Sequence, residues 1–380
     1  MRALKFSIPE IIFGRDSIKY VGVCARRLGA DKVLLVSDPG VEKAGWVWKI
    51  GEILEREKLR WVYYSNVTTN PRDFQVHGGV ALYRDQEADV VVGLGGGSPM
   101  DTAKGIALVA SNGGRIQDYE GANRILYPLP PMLFIPTTAG SGSDISQFAV
   151  IKDVERRVKM SIISRTLMPN ISIIDPLLLT TLSEDLIAAA ALDALSHAVE
   201  SYVSKIASPF TEWHSLQAVQ LIMKFAGRAV ESREIEYLEQ LSIASNAAAM
   251  AFSNAGVGVE HALAHALGGT FDVLHGWVHP VLLPAVLRFN SISCLDKMAV
   301  IGEIILGRRF GSRQATCDAA IDRVDEFCAS LGGAVNLRQI VADRSRLGEL
   351  CRIAAKDVCL LTNPRETSWE DLMGICEEAW

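Results

Sequence analysis

Cysteine is sparse in this chain, and its pattern rules out a disulfide framework. The seven cysteines, at 24, 294, 317, 328, 351, 359 and 376, are odd in number and form no C-x-x-C pair. They read as buried thiols in a reducing compartment, so the cytoplasm is the expected location. Lys and Arg form no block, and the net charge is −6. Neither nucleic acid nor an anionic membrane is therefore expected as a main partner. The opening MRALKFSIPE has no apolar signal core. No apolar run approaches the ~18–20 residues that span a bilayer. Internal repeats and low-complexity linkers are missing as well. Histidine is rare, with seven in 380 residues.

What remains is the composition of a soluble globular protein, 49% hydrophobic and 22% charged. A chain of 380 residues is long for one core, which makes two domains the natural expectation. The first half alternates β-rich runs with helical patterns. KVLLVSD (32–38), RWVYYSNV (60–67), ADVVVGLGGGS (88–98) and PMLFIPTTAGSGS (131–143) read as strands, with helices over 42–58 and 101–111. Such alternation predicts a parallel sheet with helices on both faces. RRVKMSIIS and NISIIDP read as further strands, added antiparallel. After Pro176 the sequence turns Ala-, Leu- and Glu-rich with a period near 3.6, and no strand is expected. We place a boundary near 180, giving an α/β domain over 1–180 and an all-helical domain over 181–380. The two are expected to pack directly, and a cleft between domains is a usual place for a ligand.

In VVVGLGGGSPMDTAKG, Gly95, Gly96, Gly97 and Ser98 lie between a buried strand and a helix. Glycines let backbone N–H groups approach phosphate oxygens, and a helix N-terminus adds partial positive charge. Pro99 suits the first turn, and Asp101 is the expected cap. The spacing is neither G-x-G-x-x-G nor a Walker loop, and the same glycines would also serve a tight turn. PTTAGSGSD supplies Thr137, Thr138, Ser141 and Ser143 at the end of another strand, where ligands are often lined. Asp38 ends the first apolar strand. It could accept hydrogen bonds from a ribose 2′-hydroxyl and repel a 2′-phosphate, or simply cap the turn SDPG.

Six of the seven histidines fall within 197–279, five of them clustered with partners. Asp193 and His197 in ALDALSHAVE are four apart and share a helix face. His261 and His265 repeat that spacing, and His275 and His279 follow in HGWVHP. One carboxylate with neutral imidazoles suits Fe or Zn. Isolated Asp/His pairs at this spacing are also common on helix surfaces, and spacing does not choose among His261, His265, His275 and His279. His77 and His214 have no clustered partners and read as surface residues.

Several long motifs, in order, now carry a resemblance. They are IPEIIFGRDSI, GGGSPMDTAK, PTTAGSGSD, DALSHAVESYVS, AMAFSNAGVGVEHALAHALGG, LHGWVHPVLLP and TNPRETSWEDLMGICEEAW. The chain resembles the iron-containing, or group III, alcohol dehydrogenases nearly end to end. These share a fold with glycerol dehydrogenase and dehydroquinate synthase. The resemblance implies a dinucleotide-binding α/β domain followed by a helical metal-binding domain, and it assigns the metal to Asp193, His197, His261 and His275. It implies NAD contacts from Asp38, Gly96, Gly97, Ser98, Thr137, Thr138 and Lys159, and the loop reading adds Gly95, Asp101 and Ser141 as expected cofactor contacts. Asn70, Phe148, Phe252 and Cys359 match positions bordering the nicotinamide and substrate. Iron is the family's usual ion, and close relatives use zinc.

The chain departs from the family pattern in places. Ala190 and Ala191 replace a hydroxyl residue and a glycine, and Asp144 stands where Glu is usual. His279 occupies a position that is usually small or polar, and a structural role is expected for it. The implied reaction is hydride transfer between NAD and a small primary alcohol, diol or aldehyde, with His265 as the expected proton relay. The competing expectations are a dehydroquinate-synthase-like cyclase and a non-catalytic metal- and nucleotide-binding sensor. The cyclase would need basic residues to hold a substrate phosphate and carboxylate, and 240–285 has no such motif. A homo-oligomer, with FSIPEIIF pairing across a two-fold axis, is expected by analogy.

Overall fold

The computed structural model describes residues 5–332 and 336–380. Its contacts divide the chain into two compact units. One spans Ile8–Leu182; the other runs from Ser183 to the C-terminus and includes Phe6 and Ser7. Ser7 joins the latter through hydrogen bonds of its backbone N–H and carbonyl with the Asn254 side chain, at 2.8 and 3.0 Å.

The first unit contains strands β1 (Glu10–Phe13), β2 (Lys32–Val36), β3 (Arg60–Tyr64), β4 (Val90–Gly95), β5 (Gly121–Ala122), β6 (Met132–Pro136), β7 (Phe148–Asp153), β8 (Val158–Ile163) and β9 (Ile171–Ile174). Its helices are α1 (Val21–Arg27), α2 (Pro39–Lys43), α3 (Trp46–Arg56), α4 (Asp73–Asp85) and α5 (Gly97–Asn112). Six strands form a parallel sheet in the order β1-β9-β6-β4-β2-β3. Every residue of β4 and β6 is buried, as expected of strands covered on both faces. Alternate side chains separate to opposite faces. Leu34, Val36, Val91 and Phe134 enter one apolar cluster, and Val33, Leu35, Val90 and Val92 enter the other.

Two expectations need correction. NISIIDP is not an antiparallel addition: β9 is parallel and lies inside the sheet between β1 and β6. RRVKMSIIS does form an antiparallel pair with β7, but in a separate three-stranded sheet. The helix expected over 42–58 is interrupted by Gly45, whose φ of 89° ends α2 and permits the turn into α3.

Strand order positions the loops. Pairing of β4 with β6 sets Gly95 against Pro136, and Thr137 N–H donates to Gly95 O at 2.9 Å. The glycine loop and the hydroxyl loop thus leave adjacent strands at the same edge. Pairing of β2 with β4, with Ser37 Oγ donating to Leu94 O at 2.7 Å, brings Asp38 beside them.

The second unit is helical among its described residues: α6 (Glu184–Val203), α7 (Pro209–Ser232), α8 (Ile235–Ala255), α9 (Val259–Phe271), α10 (His279–Leu306), α11 (Arg313–Ser330), α12 (Leu347–Ala354) and α13 (Trp369–Glu378). Ser183 caps α6, its Oγ accepting from Leu186 N–H, and Glu184 and Asp185 follow in the first turn. By length and composition alone α6 would pass as a bilayer span, but Asp193, His197 and Glu200 interrupt it and 89% of that stretch is buried inside the protein. It is a core helix, and the polar residues on it therefore need partners.

Candidate functional site

Asp193, His197 and Glu200 follow one another on α6 at helical spacing. α9 supplies Glu260, His261 and His265. His275 begins a short 3-10 turn, and His279 opens α10. That turn is pressed onto α6: a Cβ on Gly276 would lie 2.6 Å from Ala189 O, so only glycine fits.

The tight group of possible donors is Asp193, His261, His275 and His279, with one atom from each within 4.8 Å of the rest. From Asp193 Oδ1 the distances are 3.1 Å to His279 Nε2, 3.8 Å to His261 Nε2 and 3.9 Å to His275 Nε2. His279, for which a structural role is expected, thus stands within this group. His197 stands beside the group, its Nδ1 3.5 Å from Asp193 Oδ1. Its ring lies near Phe252 at 4.1 Å and His261 at 4.5 Å. His275 is the most open member, with 26% of its side chain exposed.

Carboxylates stand behind the imidazoles. Glu200 Oε2 accepts from His261 Nδ1–H at 2.7 Å, and Glu260 Oε1 accepts from His279 Nδ1–H at 2.8 Å. These bonds direct each Nε2 toward Asp193, as outer carboxylates do for metal-binding histidines. Glu200 also accepts the N–H groups of Gly258 and Glu260, at 2.9 and 2.7 Å, at the start of α9. His265 Nδ1 is held by Asp357 at 2.9 Å. Asp357 also accepts from Cys359 N–H at 2.9 Å. Burial, with Asp357 beside it, pushes the Cys359 thiol well above its ordinary value.

The electrostatics fit a cation. Burial alone would raise the Asp193 carboxyl, but His197, His279 and His261 hold it well below the usual range. Burial likewise opposes charge on His279, yet Glu260 and Asp193 raise it to about 9. His261 is raised well above its ordinary value against the same penalty, by Asp193 and Glu200. Three acids thus favour positive charge at one point. Asp193 Oδ1, His261 Nε2 and His279 Nε2 are also buried without a hydrogen bond. Buried polar atoms ordinarily have partners. A divalent cation would supply both the charge and the missing contacts.

The loops of the α/β unit are built for close approach. α5 starts at Gly97 behind Gly96, with no side-chain cap. Asp101 is therefore not the expected cap. Its carboxylate accepts from Ser143 Oγ and from Val150 N–H at 3.0 Å, pinning the hydroxyl loop to α5. A Cβ on Gly96 would meet Thr138 at 3.3 Å, and one on Gly97 would meet Ser141 at 3.0 Å. Gly95 has φ 145°. Asp38 Oδ1 caps α2 by accepting from Gly40 and Val41 N–H at 2.8 and 3.1 Å. Its Oδ2 lies 3.4 Å from where a Gly95 Cβ would stand. Ser98 follows in the first turn of α5, and Thr137 is buried beside Gly95. Asn70 is buried with φ 55°. Lys159 lies on β8 opposite Lys152, and Phe148 opens β7. Asp144 is buried and accepts from Ser172 Oγ at 2.8 Å.

Sequence reasoning missed Lys104, Glu200, Glu260 and Asp357. Lys104 is wholly buried, and its Nζ donates to Ser146 O at 2.9 Å and Phe148 O at 2.6 Å. Burial lowers it to about 8 despite Asp101 and Asp144. For Glu200 and Glu260 the available signal was a charged residue in an apolar helical run: Glu200 continues the face of Asp193 and His197, and Glu260 directly precedes His261.

A glycine loop at the end of a parallel sheet and a buried carboxylate–imidazole centre define the class of metal-assisted, dinucleotide-using enzymes. Residues 9–176 match the profile of the iron-containing alcohol dehydrogenases, and residues 187–380 match that family's C-terminal region. The NAD-dependent methanol dehydrogenase of Bacillus methanolicus is 35% identical over 98% of this chain and 99% of its own. The 1,3-propanediol dehydrogenase of Klebsiella pneumoniae is 35% identical over 100% of this chain and 99% of its own. A crystal structure of a 1,3-propanediol oxidoreductase superposes with a TM-score of 0.96 at 35% identity, each chain covered completely. The chain belongs to the iron-containing alcohol dehydrogenase family, and it is an oxidoreductase.

Proposed function

We propose that the protein transfers a hydride reversibly between NAD and a short primary alcohol or diol, or its aldehyde, using iron(II). The observation that carries this is the convergence of Asp193, His261, His275 and His279 on one point, with their donor atoms within 4.8 Å. Asp193, His197, His261 and His275 would hold the ion, with His279 beside them. When bound, a divalent cation supplies Lewis acidity toward an alcohol or carbonyl oxygen. NAD supplies the hydride acceptor.

The chain's own residues do the rest. Glu200 and Glu260 fix the imidazoles before any ligand arrives, which keeps the reorganisation cost small. Gly95, Gly96, Gly97 and Ser98 receive the pyrophosphate at the start of α5. Asp38 Oδ2 receives the ribose. Thr137, Thr138, Ser141 and Lys159 hold the remaining polar groups of the cofactor, with Asn70 and Phe148 near its nicotinamide end. Asp101 acts by holding the hydroxyl loop. Phe252 presents an apolar wall beside His197. Oxidation of the alcohol would release a hydride, which bound NAD would accept, and a hydroxyl proton, which would leave by way of His265. His265, with Nδ1–H given to Asp357, keeps Nε2 available to take that proton. The domains follow the two units: nucleotide binding before Ser183, metal binding after it. The seven free cysteines fit a reducing cytoplasm, and the exposed edge strand β1 suits pairing in a homodimer.

An NADH absorbance assay over short alcohols, diols and aldehydes, with metal analysis of the same sample, tests the proposal. Chelation should abolish turnover, and Fe(II) or Zn(II) should restore it. Full activity in metal-free protein would overturn it.

A further inference from the structure

His279 lies outside the ligand set that the family resemblance implies, yet it makes the shortest contact with Asp193 among the histidines, 3.1 Å. Its side chain is fully buried, and its two ring nitrogens face different acids. We infer that His279 is a direct metal donor in this chain and that Glu260 is the positioning residue that makes it one. The inference rests on the metal reading above and extends it by one imidazole.

Three observations carry it. Glu260 Oε1 takes the Nδ1–H of His279 at 2.8 Å, which turns Nε2 toward Asp193. That Nε2 has no hydrogen bond, although it is buried. The arrangement also repeats the one that Glu200 makes for His261 on the same stretch of α9. A purely structural role would require a doubly protonated ring donating to both Glu260 and Asp193, whereas coordination needs only the Nδ1 proton that Glu260 accepts. Coordination satisfies both nitrogens. A further neutral imidazole also favours borderline cations such as Fe(II), Co(II), Ni(II) and Zn(II) over oxygen-seeking Mg(II) and Mn(II).

The experiment uses the full-length protein stripped of metal and titrated with Co(II), a coloured stand-in for Fe(II). Affinity is read by chelator competition and geometry by the visible ligand-field bands. His279→Asn should weaken Co(II) binding at least ~10-fold and shift the bands. Glu260→Gln should weaken binding by a smaller factor and keep the band positions. Wild-type affinity and spectrum in folded His279→Asn protein would overturn the inference and leave the proposed function standing. If His279→Asn does not fold, as judged by circular dichroism, Glu260→Gln decides, and unchanged affinity there overturns the inference. Failure of the wild type to bind Co(II) would overturn the metal reading as well.

Discussion

Individual side chains carry the most direct tests. His261→Ala removes a donor held on both sides by acids, so metal content and activity should each fall by more than ~100-fold while NAD still binds. Full rate in that variant would refute the assignment. Asp38→Gly should relax the preference for NAD over NADP. It should cost only a few tenths of a kcal/mol of stability, because glycine is itself a tolerable helix cap. Equal discrimination before and after the change would argue against a ribose contact. Lys104→Met leaves Asp101 and Asp144 buried without their cation, and about 3–5 kcal/mol of stability should be lost in urea unfolding. The sign with pH is also fixed. Lys104 sits at about 8 in the fold, below its ordinary 10.5. The unfolded chain therefore binds more protons between these values, so stability from this residue rises with pH across that window. The variant should lack that rise. Spacing drew attention to Asp193 and the clustered histidines without choosing among them. It could not show that His279 folds back to the same point, because that depends on how the 3-10 turn seats against α6. Lys104 was invisible for a similar reason: nothing local says that a lysine in an α-helix will end among the carbonyls of a following loop.

Secondary structure elements hold these residues in place, and close backbone approach is their weak point. Gly276→Ala would set a Cβ 2.6 Å from Ala189 O, a backbone atom that cannot move aside. The turn bearing His275 should shift, and metal affinity should fall while nucleotide binding is kept. Calorimetric titration of both ligands would check this, and unchanged metal affinity would show that the turn has room. Hydrophobic patterning made most strands legible, since β4 and β6 are apolar throughout and bounded by turn residues. Strand order was not legible. The insertion of β9 between β1 and β6 is a long-range pairing that leaves no mark on the local pattern of ISII. Gly45 shows the opposite case, in which one residue with positive φ divides a periodic helical stretch.

Taken as a whole molecule, the chain confines its candidate metal donors to the helical unit and its glycine loop to the α/β unit. Metal loading should therefore raise the thermal midpoint, by a free energy of about 2.7 kcal/mol at a hundredfold excess over Kd. Hydrogen exchange should slow mainly in 183–380. Equal protection throughout would mean that the units respond as one body. Glu200 gives this division a further meaning. One carboxylate both closes the N-terminus of α9 and steers His261. Seating the start of α9 and aiming the His261 ring therefore draw on the same side chain, and a substitution at Glu200 would disturb both together.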